Sequence, residues 1–379
     1  MYMRKIVSTA ALVISISAAF ASHASLITSG GNETLSWTAR SLLTGAAPGG
    51  TASPAAGLAG NAIYHPTYPA YSGVVGMLMD SGSGLSVCTG TLLSDRRSIL
   101  TAAHCVSSGA GTANPVSTTV SFQPPAGLAP DERIYFSANP DVVSIEVSDY
   151  FVHEDYTGEV IDQNDIAVLR LAEEAPAWAI SHDIYTGSGL TGLDFNVAGY
   201  GNMGTGNGAF IGTTGYLREG DNMYDFAWGN ALFGDFFTDG FFGTADVTYS
   251  FVSDFDNGLA GNNASSLLAG VFGVADLFND LGRGDREVGV AGGDSGGPNF
   301  IDGLISGINS YGLSFGAGFG DFTSGLNSSF GELSGYVPTY IHADFIGSAL
   351  VQVSEPGILI LMSLGLFSIG ASARRRKAK

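Results

Sequence analysis

The chain is almost without lysine. Of its 379 residues, 15 are Lys or Arg and 35 are Asp or Glu, and the only lysines are Lys5, Lys377 and Lys379. Between the two ends stand eight arginines: Arg40, Arg96, Arg97, Arg133, Arg170, Arg218, Arg283 and Arg286. Against the 35 acids they leave the body of the chain at about −27. A surface of that sign repels nucleic acid and anionic lipid, so neither is expected as a partner of the body. Cysteine is nearly absent too. Cys88 and Cys105 are the only two, which together with the length excludes a disulfide-stapled mini-protein. Charged residues make up 13% of the chain, whereas glycine (55 residues) and phenylalanine (23) are plentiful. That composition fits a turn-rich, β-rich protein rather than a helical bundle, a coiled coil or a disordered chain. No tandem repeat is present.

Long apolar runs occur only at the ends. In residues 1–24, Arg4 and Lys5 precede an apolar run from Ile6 to Phe20, and Ser22-His23-Ala24 supplies a small-x-Ala cleavage site. This is the pattern of a secretory signal peptide rather than of a buried helix, and it puts the mature amino terminus near Ser25. At the other end, in residues 351–379, Ser354-Glu355-Pro356 leads into an uncharged stretch from Gly357 to Ala373 that Arg374-Arg375-Arg376-Lys377 stops. Such a segment lodges in a membrane as a helix with its basic tail on the cytoplasmic side. It resembles the PEP-CTERM sorting signal of Gram-negative bacteria, with Ser354 in place of the motif's first proline; the simpler alternative is a plain membrane anchor. The resemblance implies a signal peptidase and an exosortase-type enzyme as processing partners. It also implies export across the inner membrane, with the periplasm, the outer surface or the extracellular matrix as destination.

Residues 25–60 read as a linker or propeptide, because Ser41 to Gly60 is small, uncharged and rich in Gly, Ala and Pro. The folded body is expected over residues 61–350. Short apolar runs recur there between Gly and Asp/Asn/Ser clusters: 74–78, 120–122, 166–171, 195–198, 247–252 and 304–308. Their spacing predicts an all-β antiparallel sandwich or barrel. The stretches 201–220 and 257–270 read as surface loops.

Three segments carry chemistry. Gly293-Asp294-Ser295-Gly296-Gly297-Pro298 sets a serine among glycines, which permit a tight turn that aims the N–H groups of Gly293 and Ser295 at one oxygen. A serine hydroxyl becomes a useful nucleophile only when a neighbouring base takes its proton. Leu100-Thr101-Ala102-Ala103-His104-Cys105 supplies a base in His104. Cys88 lies 17 residues before Cys105, and in an exported chain the pair reads as a disulfide rather than a metal site, since no further Cys or nearby His completes a ligand set. Asn164-Asp165 opens an apolar run, Ile166 to Leu171. A half-buried acid there can accept the imidazole N–H, although taken singly it reads as a strand cap.

Together these segments resemble the trypsin-like, chymotrypsin-fold serine proteases in order, spacing and local sequence, over about residues 61–348. The resemblance implies two antiparallel six-stranded β-barrels with the site between them. It makes His104 the general base, Asp165 its orienting acid, Ser295 the nucleophile, and the N–H groups of Gly293 and Ser295 the oxyanion hole. Val197-Ala198-Gly199-Tyr200-Gly201 is similar to the family's Gly-Trp-Gly turn. Gly307 to Gly312 is similar to the strand that binds substrate by β-addition, with Ser310 and Gly312 as pairing positions and Tyr311 between them. Gly289 and Val290 would floor the primary pocket, and Gly312 would form its wall. The implied activity is hydrolysis of protein or peptide substrates through an acyl-enzyme, without a cofactor or catalytic metal; the alternative is an inert protease-like module for surface adhesion or polysaccharide binding.

The chain also departs from that pattern. No Ile-Val-Gly-Gly sequence is present to furnish an ammonium partner for Asp294, and Ile63 is the nearest substitute. No acid stands at the pocket base, so small or apolar side chains are expected at the cleaved residue. Ala291 occupies the place of a pocket-bracing cysteine. Asp254, Asp256 and Asn257 are either solvated turn residues or ligands of Ca²⁺.

Overall fold

The computed structural model describes residues 27–40 apart from 33, and residues 60–351 apart from 83, 110–114, 136, 210–211 and 324. The expected signal peptide at residues 1–24, the stretch 41–59 and the expected sorting segment from 352 onward lie outside the described residues. Among those described, no helix is long and apolar enough to cross a membrane.

The strands in chain order are β1 (Ile27–Gly31), β2 (Ser36–Arg40), β3 (Val74–Asp80), β4 (Leu85–Leu92), β5 (Ser98–Thr101), β6 (Ser117–Phe122), β7 (Val143–Val152) and β8 (Ala167–Leu171). They continue as β9 (Asp194–Gly199), β10 (Gly204–Thr205), β11 (Gly208–Ala209), β12 (Arg218–Met223), β13 (Phe226–Ala227), β14 (Phe251–Asp254), β15 (Pro298–Ile301), β16 (Leu304–Ser314) and β17 (Leu333–Pro338). Two helices join them, α1 (Ala264–Gly270) and α2 (Ala343–Val351).

Strands β3 to β8 close into a six-stranded barrel in the order β3-β4-β5-β8-β7-β6. Its interior is aliphatic, with Val74, Leu92, Ile99, Leu100, Val120, Val168 and Leu169 all at or near zero exposure. β5 and β8 are buried along their whole length, which is why Ile166 to Leu171 is nearly unbroken in apolar residues rather than alternating. The second half is not the closed six-stranded barrel expected. It is an open sheet of nine strands, a half-barrel, with the path β12-β9-β15-β16-β17-β14-β13. β2 pairs with β16, and β1 with β2.

The hairpin of β1 and β2 shows that residues 27–40 are not a structureless linker. Leu35, Trp37 and Ala39 are buried in an aromatic cluster with Phe226, Trp228, Phe233, Phe237 and Phe242. The alternation of these three apolar residues with polar Ser36 and Thr38 is the pattern of a strand buried on one face. Residues 257–270, expected as loop, end in α1, where the Asn263 side chain caps the helix by accepting from Ser266 N–H. Asp254 and Asp256 are 5% and 2% exposed, so they are not solvated turn residues.

Cys88 on β4 and Cys105 are joined by a disulfide, which disposes of the metal reading for that pair. It ties the turn at 103–105 to the barrel wall. Replacing both cysteines with serine is expected to lower stability by about 3 kcal/mol, the loop-closure cost for a 17-residue separation. Urea unfolding under non-reducing conditions measures the loss, and a change below about 1 kcal/mol would show that the turn is held by other means.

Candidate active site

Each of the three candidate residues sits next to one end of a strand. β5 stops at Thr101, and Ala103–Cys105 makes one 3-10 turn that carries His104 out of the barrel. Asp165 precedes β8 at the end of a loop that Asp162 organises by accepting from Thr157 N–H, the Thr157 hydroxyl and Asn164 N–H. Burial pushes the Asp162 carboxyl up to about 6. Ser295 occupies a turn ahead of β15.

That turn is clasped from both halves of the chain. From the barrel, Thr89 N–H donates to Ser295 O at 2.9 Å and the Thr89 hydroxyl donates to Gly293 O at 2.9 Å. From the open sheet, Gly296 N–H donates to Asn309 O and Asn309 N–H donates to Gly297 O, each at 2.9 Å. Gly296 has φ +76°, and a Cβ there would lie 2.0 Å from Thr101 Oγ1. No other residue fits between the turn and β5.

The result is a continuous line of hydrogen bonds. His104 Nε2 lies 2.6 Å from Ser295 Oγ, and His104 Nδ1 lies 2.7 Å from Asp165 Oδ2. Asp165 Oδ1 accepts from His104 N–H at 2.8 Å, so the same carboxylate holds both the ring and the backbone of the histidine. A fourth member was not foreseen in this role. The Ser310 hydroxyl donates to Asp165 Oδ2 at 2.5 Å. The reason lies in the sheet: β16 and β17 shift register between Asn309 and Tyr311, a bulge at Ser310 that re-aims its side chain. Asp165 is 1% and Ser295 4% exposed, while the His104 side chain keeps 16%. The imidazole is therefore the one part of the line that keeps contact with solvent.

The remaining expected site residues divide into two groups. The N–H groups of Gly293 and Ser295 engage no other described residue, which leaves both free to meet an incoming oxygen. Tyr311 is fully buried; its hydroxyl accepts from Trp228 Nε1 at 2.7 Å, so only its backbone is available to a ligand. Gly312 lies opposite Arg40 of β2. Gly289 and Val290 line a narrow cleft with Tyr64, Val197–Gly199, Arg218–Gly220, Val288 and Asp294, of which Gly312 is not part. Thr89, the main clasp on the turn, went unnoticed in the sequence, where only its neighbour Cys88 stands out.

Residues 65–221 match the family model for trypsin. The match spans under half of the chain, includes His104 and Asp165, and ends before Ser295. It supports a trypsin-like serine protease, a hydrolase acting on peptide substrates. No curated protein matches the chain.

Asp294, beside Ser295, has no cation within reach among the described residues. Its Oδ1 accepts Gly201 N–H at 2.6 Å, and the turn approaches so closely that a Cβ on Gly199 would strike the same oxygen at 2.0 Å. Ile63 stays at the surface, 39% exposed. Burial raises the Asp294 carboxyl from 3.8 to about 7. A group raised in this way contributes stability that is fully present below its unfolded value and is lost as pH rises through its folded value. Between pH 4 and pH 8 the wild type is therefore expected to lose about 4 kcal/mol relative to Asp294→Asn, whose amide keeps the Gly201 contact without ionising. Urea unfolding of the two proteins at both pH values measures this; a constant difference would mean that a cation reaches Asp294.

Proposed function

We propose that the chain is an exported serine endopeptidase that cleaves peptide bonds through an acyl-enzyme. The observation that carries this reading is the line Asp165–His104–Ser295, closed by contacts of 2.7 and 2.6 Å. In the proposed reaction Ser295 Oγ attacks the scissile carbonyl carbon while His104 Nε2 takes the hydroxyl proton. Asp165 holds the Nδ1 proton and stabilises the imidazolium that forms. The N–H groups of Gly293 and Ser295 receive the charge that develops on the carbonyl oxygen. His104 then delivers its proton to the leaving amine, and water repeats the sequence on the ester. The Ser310 hydroxyl, bonded to Asp165, keeps the carboxylate oriented toward the ring.

The oxidised Cys88–Cys105 pair supports export, because such bonds persist outside the reducing cytosol. The two terminal segments support a path through signal peptidase and then an exosortase-type enzyme, with the carboxyl-terminal helix holding the protein in the membrane until it is processed. At the cleaved residue we assign small or apolar side chains, since Gly289 and Val290 offer no acid.

A fluorophosphonate probe is expected to label the folded, processed protein, and Ser295→Ala is expected to abolish labelling and to lower kcat by about 10⁶-fold. Failure of the wild type to label would overturn the protease reading. Binding to a polysaccharide or surface that survives Ser295→Ala, without any hydrolysis, would instead favour the inert module.

A further inference from the structure

The edge of β16 that an extended substrate would join already has an occupant. β2 lies antiparallel to it, with Thr38, Ala39 and Arg40 opposite Ser314, Leu313 and Gly312. Toward its carboxyl end β2 advances along β16 in the direction of Ser310, whose hydroxyl touches Asp165. A substrate strand added to the same edge in the same sense, with the residue before the cut bond at Ser310, would set the residue two positions upstream opposite Gly312. Arg40 stands there. One strand edge pairs with one partner, so the two cannot coexist. The occupant is also firmly seated: Trp37 is 5% exposed, meets Phe242 edge-on at 5.3 Å and donates its indole N–H to Phe241 O. A mature amino terminus near Ser25 would leave the hairpin in place.

We propose that β2 limits the depth of the substrate cleft, so that the site engages only two residues upstream of the cut bond. This rests on the protease reading above. The test is kcat/KM for peptides carrying one to five residues upstream of a common cleaved bond. In the full chain the value is expected to level off, within about threefold, beyond two residues. In Arg40→Pro, which removes the N–H of the residue opposite Gly312, and in a chain lacking residues 27–40, lengthening from two to four residues is expected to raise it about 10-fold, the equivalent of one or two backbone hydrogen bonds. A 10-fold gain already present in the full chain would overturn the proposal, whether or not the variants fold. No turnover of any peptide, together with no fluorophosphonate labelling, would overturn the protease reading and this inference with it.

A second observation stands apart from the active site. Asp254 at the end of β14, Asp256 and Glu287 each offer a carboxylate oxygen, and these atoms lie within 4.8 Å of one another. All three residues are at most 5% exposed. Asp256 Oδ1 is buried without a hydrogen-bond partner. No salt bridge among the described residues reaches any of the three, for the Arg283 guanidinium is engaged with Asp194 and Asp280. Carboxylate oxygens gathered to within 4.8 Å of one another are close enough to share one cation, and an all-oxygen set of irregular geometry suits Ca²⁺. Mg²⁺, which demands near-octahedral geometry and gives up its water shell reluctantly, fits a buried all-protein carboxylate set less well.

We infer that Asp254, Asp256 and Glu287 bind Ca²⁺ and thereby anchor the segment that leads, two residues after Glu287, to Gly289. The probe is calcium chloride added to chelator-treated protein, followed by calorimetry and by thermal unfolding. Wild type is expected to bind one equivalent and to unfold at higher temperature, with Mg²⁺ giving no comparable shift. Asp256→Asn and Glu287→Gln are each expected to weaken binding at least about 10-fold. The inference is overturned if wild type shows neither heat nor a thermal shift at about 10 mM Ca²⁺, or if Mg²⁺ acts equally.

Discussion

The site depends on one joint, the contact between Thr89 and the turn that bears Ser295. His104 and Asp165 belong to the closed barrel and Ser295 to the open sheet, so nothing within either half brings His104 and Ser295 together. Thr89 does so with two hydrogen bonds, from its N–H to Ser295 O and from its hydroxyl to Gly293 O. The same hydroxyl oxygen accepts Tyr200 N–H at 3.0 Å, which brings the end of β9 to the same point. These groups are buried, so an unmade bond would leave a desolvated carbonyl at a cost of about 1–3 kcal/mol. The joint thus couples the packing of the two halves to the spacing of the reacting atoms.

A second constraint is charge. A body with eight arginines and no lysine cannot give each buried acid a cation. Burial consequently raises several carboxyls: Asp256 and Glu287 to about 8 and Glu332 to about 7. Glu332 is met by backbone N–H groups of Asn327, Ser328 and Ser329, a local solution that needs no second charge. Asp225 is pushed well above the ordinary carboxylate range by burial and by the Asp254 charge, and Asp254 by burial and by the charges of Asp256 and Glu287. The arginines are reserved for a few places. Arg170 spans from Asp95 to the carbonyls of Ala349 and Leu350 on α2, tying the last described helix to the barrel.

Much of the barrel was legible because buried strands advertise themselves. The runs at 74–78 and 166–171 became β3 and β8 nearly as read, and Cys88 and Cys105, the only two cysteines, paired as expected. The run at 247–252 was less reliable. Its first residues are turn, and β14 begins only at Phe251; Val247 is buried but Tyr249 is exposed. The hairpin at 27–40 was obscured by the glycine-rich stretch that follows it, and its apolar residues make sense only against an aromatic cluster some two hundred residues away. Closure of the second half could not be read at all, since it depends on which edges pair, and β2 takes one of them.

By itself the sequence determined the chemistry available and its order along the chain: a base, an acid and a glycine-flanked hydroxyl, each beside an apolar run that would bury it. Those are local properties, set by side-chain type and by what a short segment can fold into. Tertiary structure alone decided the distances among the three groups, the turn of Ser310 onto Asp165, the strand on the β16 edge and the gathering of Asp254, Asp256 and Glu287. Each of these joins residues far apart in the chain, and their proximity follows from strand pairing and packing that no local pattern encodes.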